Sequence, residues 1–286
     1  MLTIVVYHSK GGVGKTTLSG LLAQFMAGLG YAGAILDLDR QGSQTQLFGF
    51  PPDTPQLLGD VVQRTRPIES ALLPVREDMV PRFKGCTPGV LALCPGGRAA
   101  QLAVDEVVHD PRQFGLDSNL AVFRDVLADL SRTADFAVLD LGPSDPDVVF
   151  GALVVADYIL IPTDSERLSL DQLPYVLSEV AAAQQVNPGL DILGIVPTKT
   201  EYHFGRLRAS KSLSATWARL TTHYDDLLLR DDDGLIDLPY DEDWKVAVWI
   251  TEVLFSASVG KRVKADAMRF LNAVGAKIGI EAVTYE

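Results

Sequence analysis

No stretch of this chain approaches the ~18 consecutive apolar residues of a membrane-spanning helix, and its N-terminus runs directly into a strand-like segment. Neither a membrane span nor a cleaved leader is expected. Cysteine is scarce: Cys86 and Cys94 lack C-x-x-C spacing and suit a reducing cytosol. The histidines, His8, His109, His203 and His223, are scattered without metal-ligand spacing, and His8 reads as a strand-end residue. There is no internal repeat and no low-complexity linker. Positive charge is also short, with 25 Lys and Arg against 37 Asp and Glu, a net charge of −12. That balance disfavours long-range attraction to nucleic acid. The acidity is uneven, however. Residues 101–198 hold 4 basic and 16 acidic side chains, whereas residues 199–286 hold 12 and 14.

What is present is a core and a loop. At 286 residues and 47% hydrophobic content the chain can bury a full α/β core. The run Leu2-Thr3-Ile4-Val5-Val6-Tyr7 reads as a buried strand, and Leu18 to Leu29 carries apolar residues at helical spacing. Between them lies Lys10-Gly11-Gly12-Val13-Gly14-Lys15-Thr16-Thr17. Strand, glycine-rich loop and helix in that order are the context of a phosphate-binding loop. Glycines let successive N–H groups point into one concavity, and the helix N-terminus adds its positive dipole end. Lys15 is placed to reach the β- and γ-phosphates, and Thr16 to offer Mg²⁺ a hydroxyl. The residues predict a nucleoside triphosphate site. Its spacing departs from G-x-x-x-x-G-K-S/T, because Ser9 stands at the first glycine and a second lysine, Lys10, follows.

Further strands alternate with helices. Ala34 to Leu38 leads into Asp37-Leu38-Asp39-Arg40-Gln41-Gly42, with two carboxylates at i and i+2 and thus on one side of a strand. Phe136 to Leu141 is a buried run ending near Asp140, the arrangement of an acid that holds Mg²⁺, followed by Gly142-Pro143-Ser144. Ala156 to Thr163 and Asp191 to Thr198 are strands separated by a helical stretch, Leu168 to Val186. Prolines chop residues 51–97 into short pieces, with a helix around 57–64 and a strand at Val90-Leu91-Ala92-Leu93. A final helix, about Lys261 to Ile278, places Val263, Ala267, Phe270, Leu271 and Val274 on one face. The alternation predicts a doubly wound, mostly parallel sheet with helices on both faces. It also predicts one ATPase domain over residues 1–286, with an irregular insertion around 51–97.

The loop K-G-G-x-G-K-S/T-S/T is the deviant form of the phosphate loop, and with it the sequence resembles the ParA/MinD family of dimerising ATPases. Asp37 to Thr45 is similar to the family's D-x-D-P-Q-G-x-x-T stretch with Arg40 in place of proline. Asp140 to Ser144 is similar to D-x-P-P-S with Gly142 in place of the first proline, which is expected to leave that loop more mobile. The resemblance extends in order through Ile192 to Thr198 and Ile236-Asp237-Leu238-Pro239.

The resemblance implies that Lys10 crosses to the partner subunit's nucleotide, that Asp39 positions the attacking water, and that Asp37 supports the magnesium shell. Gly11, Gly12, Val13, Gly14, Lys15, Thr16 and Thr17 would cradle phosphate. Thr198 and Pro239 would flank the adenine, and Thr16, Asp37 and Asp140 would serve the metal. Basic residues Arg206, Arg208, Lys211, Arg219, Lys261, Arg262 and Lys264 would track nonspecific double-stranded DNA in an ATP-bound homodimer. The implied partner is a ParB-like centromere-binding protein that stimulates slow hydrolysis, and the implied location is cytoplasmic and nucleoid-associated. Relatives of other function are disfavoured. The C-terminus, Ile280 to Glu286, lacks a basic amphipathic membrane helix, and no cysteine follows Asp140 to hold an iron–sulfur cluster. The alternative function is positioning a protein assembly, such as a chemoreceptor cluster or a microcompartment.

Overall fold

The computed structural model describes residues 1–115, 120–143, 146–164, 166–200, 202–203, 206–207, 218–239 and 260–285. In chain order, β1 (Leu2–Val6) leads through the glycine loop into α1 (Lys15–Gly28), and β2 (Gly33–Leu38) into the short α2 (Ser43–Leu47). The proline-rich segment contains α3 (Leu58–Val62), β3 (Leu73–Pro74) and β4 (Leu91–Cys94). Then come α4 (Arg98–His109), α5 (Ala121–Leu130), β5 (Phe136–Leu141), α6 (Pro146–Leu153), β6 (Tyr158–Asp164), α7 (Arg167–Gln184) and β7 (Asp191–Thr200). Two small hairpins follow, β8 (Tyr202–His203) with β9 (Arg206–Leu207), and β10 (Arg230–Asp231) with β11 (Gly234–Leu235). The chain closes with β12 (Leu238–Pro239) and α8 (Lys261–Lys277).

Eight strands form one sheet in the order β12-β7-β6-β1-β5-β2-β4-β3. Every pairing in it is parallel except β3 with β4 at the edge. The doubly wound expectation therefore holds. Parallel strands buried on both faces need nearly continuous apolar runs, and β1, β2 and β5 supply them apart from the buried polar residues Thr3, Asp37 and Asp140. Alternate residues serve opposite layers. Val5, Tyr7, Ala137 and Leu139 join the core under α3 to α7, while Ile4, Val6, Phe136 and Val138 join the core under α1 and α8.

α8 packs as its spacing predicts, with Val263, Ala267, Phe270, Leu271 and Val274 all buried. Its place is fixed further by Arg269, which makes a two-pronged contact to Asp231 at 2.6 Å on each side. The acidic run Asp231-Asp232-Asp233-Gly234 is the hairpin turn between β10 and β11, with Gly234 at φ +122°. Among the described residues no helix is long and apolar enough to cross a membrane.

Candidate functional site

Because β1, β2, β5, β6 and β7 are parallel, their carboxyl ends gather at one edge of the sheet, and the loops leaving them enclose a cavity of about 700 Å³. Its floor is the phosphate loop with the first turn of α1: Gly11, Gly12, Gly14, Lys15, Thr16 and Thr17. One wall is Asp39, Arg40, Gln41 and Ser43; Thr198, Lys199, Leu238 and Pro239 form the other, and Pro143 overhangs it. Thus the loop, Asp39, Thr198 and Pro239 meet at one place, as expected. A second cavity, about 610 Å³ between α3 and α5, lies away from this edge, and its Arg64 is engaged by Asp125.

The glycine loop turns because Gly12 and Gly14 adopt φ +77° and +95°, a conformation that opposes a side chain. Lys15 is buried, and its Nζ donates to the carbonyl oxygens of His8 and Lys10 at 3.0 and 2.8 Å. Burial lowers its pKa, opposed by the nearby carboxylates of Asp140 and Asp39. His8 does more than end a strand. Its Nδ1 accepts the Lys10 N–H at 2.9 Å and its Nε2 faces the Ser169 carbonyl oxygen at 3.2 Å, so the proton belongs on Nε2. Burial, then the Lys15 charge, push the imidazole down to about 4. A neutral ring therefore clips the loop to the start of α7.

Lys10 points away from the cavity. Its Nζ lies 3.1 Å from an Asp164 oxygen, 2.7 Å from Glu166 and 2.9 Å from the Ser169 hydroxyl. Those carboxylates raise its pKa against the effect of burial. No sequence motif announces this acidic cluster, in which Asp164 ends β6 and Glu166 stands two residues beyond it.

The acids separate into three environments. Asp37 and Asp140 face one another in register across β2 and β5, both buried. Burial, and for Asp140 the charge of Asp37, push them up to about 6 and about 7. Asp37 uses one oxygen on the Thr45 N–H and hydroxyl, at 2.9 and 2.7 Å, and the other on the Asp39 N–H at 3.3 Å. It fixes the start of α2. Asp140 accepts from the Ser19 hydroxyl at 2.9 Å through Oδ1, while its buried Oδ2 has no hydrogen-bond donor. Asp39 does not share the strand with Asp37, because β2 ends at Leu38. It stands in the following loop, held by the Gln41 N–H at 3.0 Å and the Ser43 hydroxyl at 2.9 Å.

Gly142 has a steric reason to lack a side chain. A Cβ there would stand 2.7 Å from Asp39 Oδ1 and 3.1 Å from the Asp39 Cα. On the other side Thr198 donates to the Val13 carbonyl at 2.7 Å and faces that of Thr163 at 3.2 Å, tying β7 to the phosphate loop and to β6.

The chemistry available is that of a magnesium nucleotide. An orphaned carboxylate oxygen on Asp140, with the Thr16 hydroxyl near enough to favour its ionisation, fits a divalent cation. Among the described residues no group of three His, Cys, Asp or Glu could cage a metal. Few protein ligands, with phosphate and water completing the shell, suit Mg²⁺.

The proposed DNA residues fare differently. Arg208 and Lys211 lie outside the described residues, and Arg206 is placed only by its backbone, in β9. Arg219 pairs with Asp171 at 2.9 Å. Lys261, Arg262 and Lys264 share the first turn of α8, where Lys264 sits 5.1 Å above the Tyr285 ring.

A phosphate loop opening a helix at the carboxyl edge of such a sheet defines the class, that of P-loop nucleotide-binding proteins. A model of the CobQ/CobB/MinD/ParA nucleotide binding domain matches residues 4–216, and the chain belongs to that family. The chromosome partitioning protein ParA of Myxococcus xanthus is 30% identical over 199 residues, 68% of this chain and 64% of its own length. The cell division protein PomZ of the same organism is 31% identical over 226 residues, 77% of this chain and 62% of its own length. The matches therefore span less than two thirds of those relatives. The structure of a Cyanothece McdA–ATP complex superposes with a TM-score of 0.76 at 19% identity, covering 99% of this chain and 98% of that one. At that identity the likeness is one of fold.

Proposed function

We propose that this chain is a ParA-type ATPase that binds ATP with Mg²⁺, dimerises around two nucleotides, and holds nonspecific double-stranded DNA as the ATP-bound dimer. Residues 1–286 act as one ATPase unit, with residues 51–97 an elaboration of its edge. The observation that carries the reading is the pairing of Lys15, parked on loop carbonyls, with the unsatisfied Asp140 Oδ2 beside Thr16. A magnesium triphosphate would give the Lys15 ammonium an anionic acceptor in place of neutral carbonyls, and the Asp140 oxygen a cation.

In this reading Gly11 to Thr17 cradle the phosphates with backbone N–H groups, and Lys15 exchanges the His8 and Lys10 carbonyls for phosphate oxygens. Asp140 and Thr16 hold Mg²⁺, with Asp37 supporting from the adjacent strand while anchoring α2. The ion neutralises charge on the phosphate chain when bound. Asp39, at the cavity wall beside Gly142, orients water in line with the γ-phosphorus. Charge developing on the transferred group is met by the loop N–H groups, Lys15, and Lys10 of the partner subunit. That last contact requires Lys10 to leave Asp164, Glu166 and Ser169. Thr198 and Pro239 flank the base.

DNA contact is assigned to Arg206, Arg208, Lys211, Arg219, Lys261, Arg262 and Lys264, release to a ParB-like activator, and location to the cytoplasm and nucleoid. The similarity to the maintenance of carboxysome distribution protein A of Synechococcus elongatus favours one second reading, in which the same switch positions a protein assembly. Random duplex DNA should be retained in a gel-shift assay with ATP but not with ADP or without nucleotide, and retention should weaken steeply with salt. Equal retention in all three states would contradict the switch.

A further inference from the structure

Lys199 lies within β7, yet its backbone is not that of a strand. Its φ is +55°, and Arg64 is the other non-glycine described residue with a positive value. The pairing explains where the distortion comes from. Leu238 of β12 is opposite Thr198 and Pro239 is opposite Thr200, so Lys199 is the extra residue of a bulge. Bulges re-aim side chains beside functional sites, and the left-handed position within them is one that glycine fills without strain. A lysine kept there is a candidate for a function that offsets the strain.

Its neighbours leave the bulge little room to relax. Thr198 is buried and bonded to the Val13 carbonyl, and Thr200 is buried with its hydroxyl donating to Asp237 at 2.5 Å. Held between them, the Lys199 side chain turns back over the phosphate loop. Its Nζ is 3.8 Å from the point where a Cβ on Gly12 would stand, and Lys199 lines the nucleotide cavity. The other two lysines of the region are differently committed, Lys10 to the Asp164–Glu166 cluster and Lys15 to carbonyls inside the loop.

We propose that Lys199 is a third lysine of the nucleotide site, carried by the β7 bulge, and that its ammonium binds the polyphosphate held in the same subunit. The inference rests on the nucleotide reading above and adds to it a residue outside the phosphate loop. An ammonium on a flexible stem suits this task, because it needs only proximity to phosphate oxygens and no fixed fork geometry. Three carboxylates, Asp37, Asp39 and Asp140, converge on the same edge, so an added cation also offsets their repulsion of an incoming triphosphate.

Binding of fluorescent ADP and ATP analogues, with Mg²⁺, tests this on the full chain and its K199G, K199Q and K199R variants. Thermal unfolding without nucleotide is measured alongside. Lys199→Gly should unfold at the same temperature as the parent or higher, since glycine tolerates the +55° φ, yet bind both analogues about tenfold more weakly. Lys199→Gln should lose affinity similarly, and Lys199→Arg should stay within about threefold of the parent. Unchanged affinity in K199G and K199Q would overturn the inference. So would an affinity loss matched by a fall in nucleotide-free unfolding temperature, or one that arginine does not rescue. If the parent chain binds neither analogue, the nucleotide reading itself fails, a result distinct from those three.

Discussion

At the residue scale the site is a set of polar groups whose environments differ sharply over a few ångströms. Lys15 is buried and bonded only to carbonyl oxygens. It also lines the nucleotide cavity, so replacement by alanine removes the ammonium from the place where phosphate would lie. Lys15→Ala should weaken binding of both ADP and ATP more than about 100-fold in isothermal titration, the loss expected of a charge-assisted contact in a dry site. Asp140 invites a test of different character. Its carboxyl is raised to about 7 and that of Asp37 to about 6, from an ordinary value near 3.8. The folded state therefore holds protons more tightly than the unfolded chain, and the stability tied to these groups is present at low pH and lost as pH rises toward neutrality. Asp140→Asn should flatten that loss. Without nucleotide or Mg²⁺, the unfolding temperature of the variant relative to the parent should rise between about pH 4 and pH 7 and level off above, by about 2–4 °C per kcal/mol recovered. A difference that is flat with pH would remove Asp140 as a buried titrating group.

At the scale of elements, the loops after β2 and β5 are built against each other. Gly142 lets the second pass within contact of Asp39, and a Cβ there would meet Asp39 Oδ1 at 2.7 Å. Gly142→Ala should displace Asp39 and lower kcat by about tenfold or more, with nucleotide affinity nearly intact, in a steady-state phosphate-release assay. Equal losses in kcat and affinity would mean that the substitution disturbs the phosphate loop instead.

Much of this layer was legible in the sequence, because its signals are local. The aliphatic runs of β1, β2, β5, β6 and β7, the glycine loop and the apolar face of α8 each stand out within about ten residues. The helices α4 and α5 were not singled out, although Ala100, Val104, Val107 and Val108 lie on one buried face of α4. What was not legible depends on contacts far apart in sequence. Ser19 reaches Asp140, Ser169 meets both His8 and Lys10, and the bulge at Lys199 is defined only by its pairing with β12. Asp39 illustrates the limit. The i, i+2 spacing placed it on a strand with Asp37, but the chain leaves the sheet at Leu38 and the two acids serve different loops.

At the scale of the whole molecule, the acidic balance and the proposed DNA contact pull against one another. Arg219, one of the residues assigned to DNA, is already engaged by Asp171, and Arg269 of α8 by Asp231, which subtracts from any positive surface. A dimer offers a way through, since joining two copies doubles whatever basic patch remains and makes its DNA affinity conditional on ATP. The account thus turns on ATP-dependent association. Its most direct test is the molar mass of the Asp39→Ala variant by light scattering with saturating ATP and Mg²⁺, where hydrolysis should be blocked and binding retained. Twice the 31.0 kDa of one chain, falling to a single copy with ADP, is the expected result. A variant that binds ATP yet stays at the mass of one chain would contradict the account.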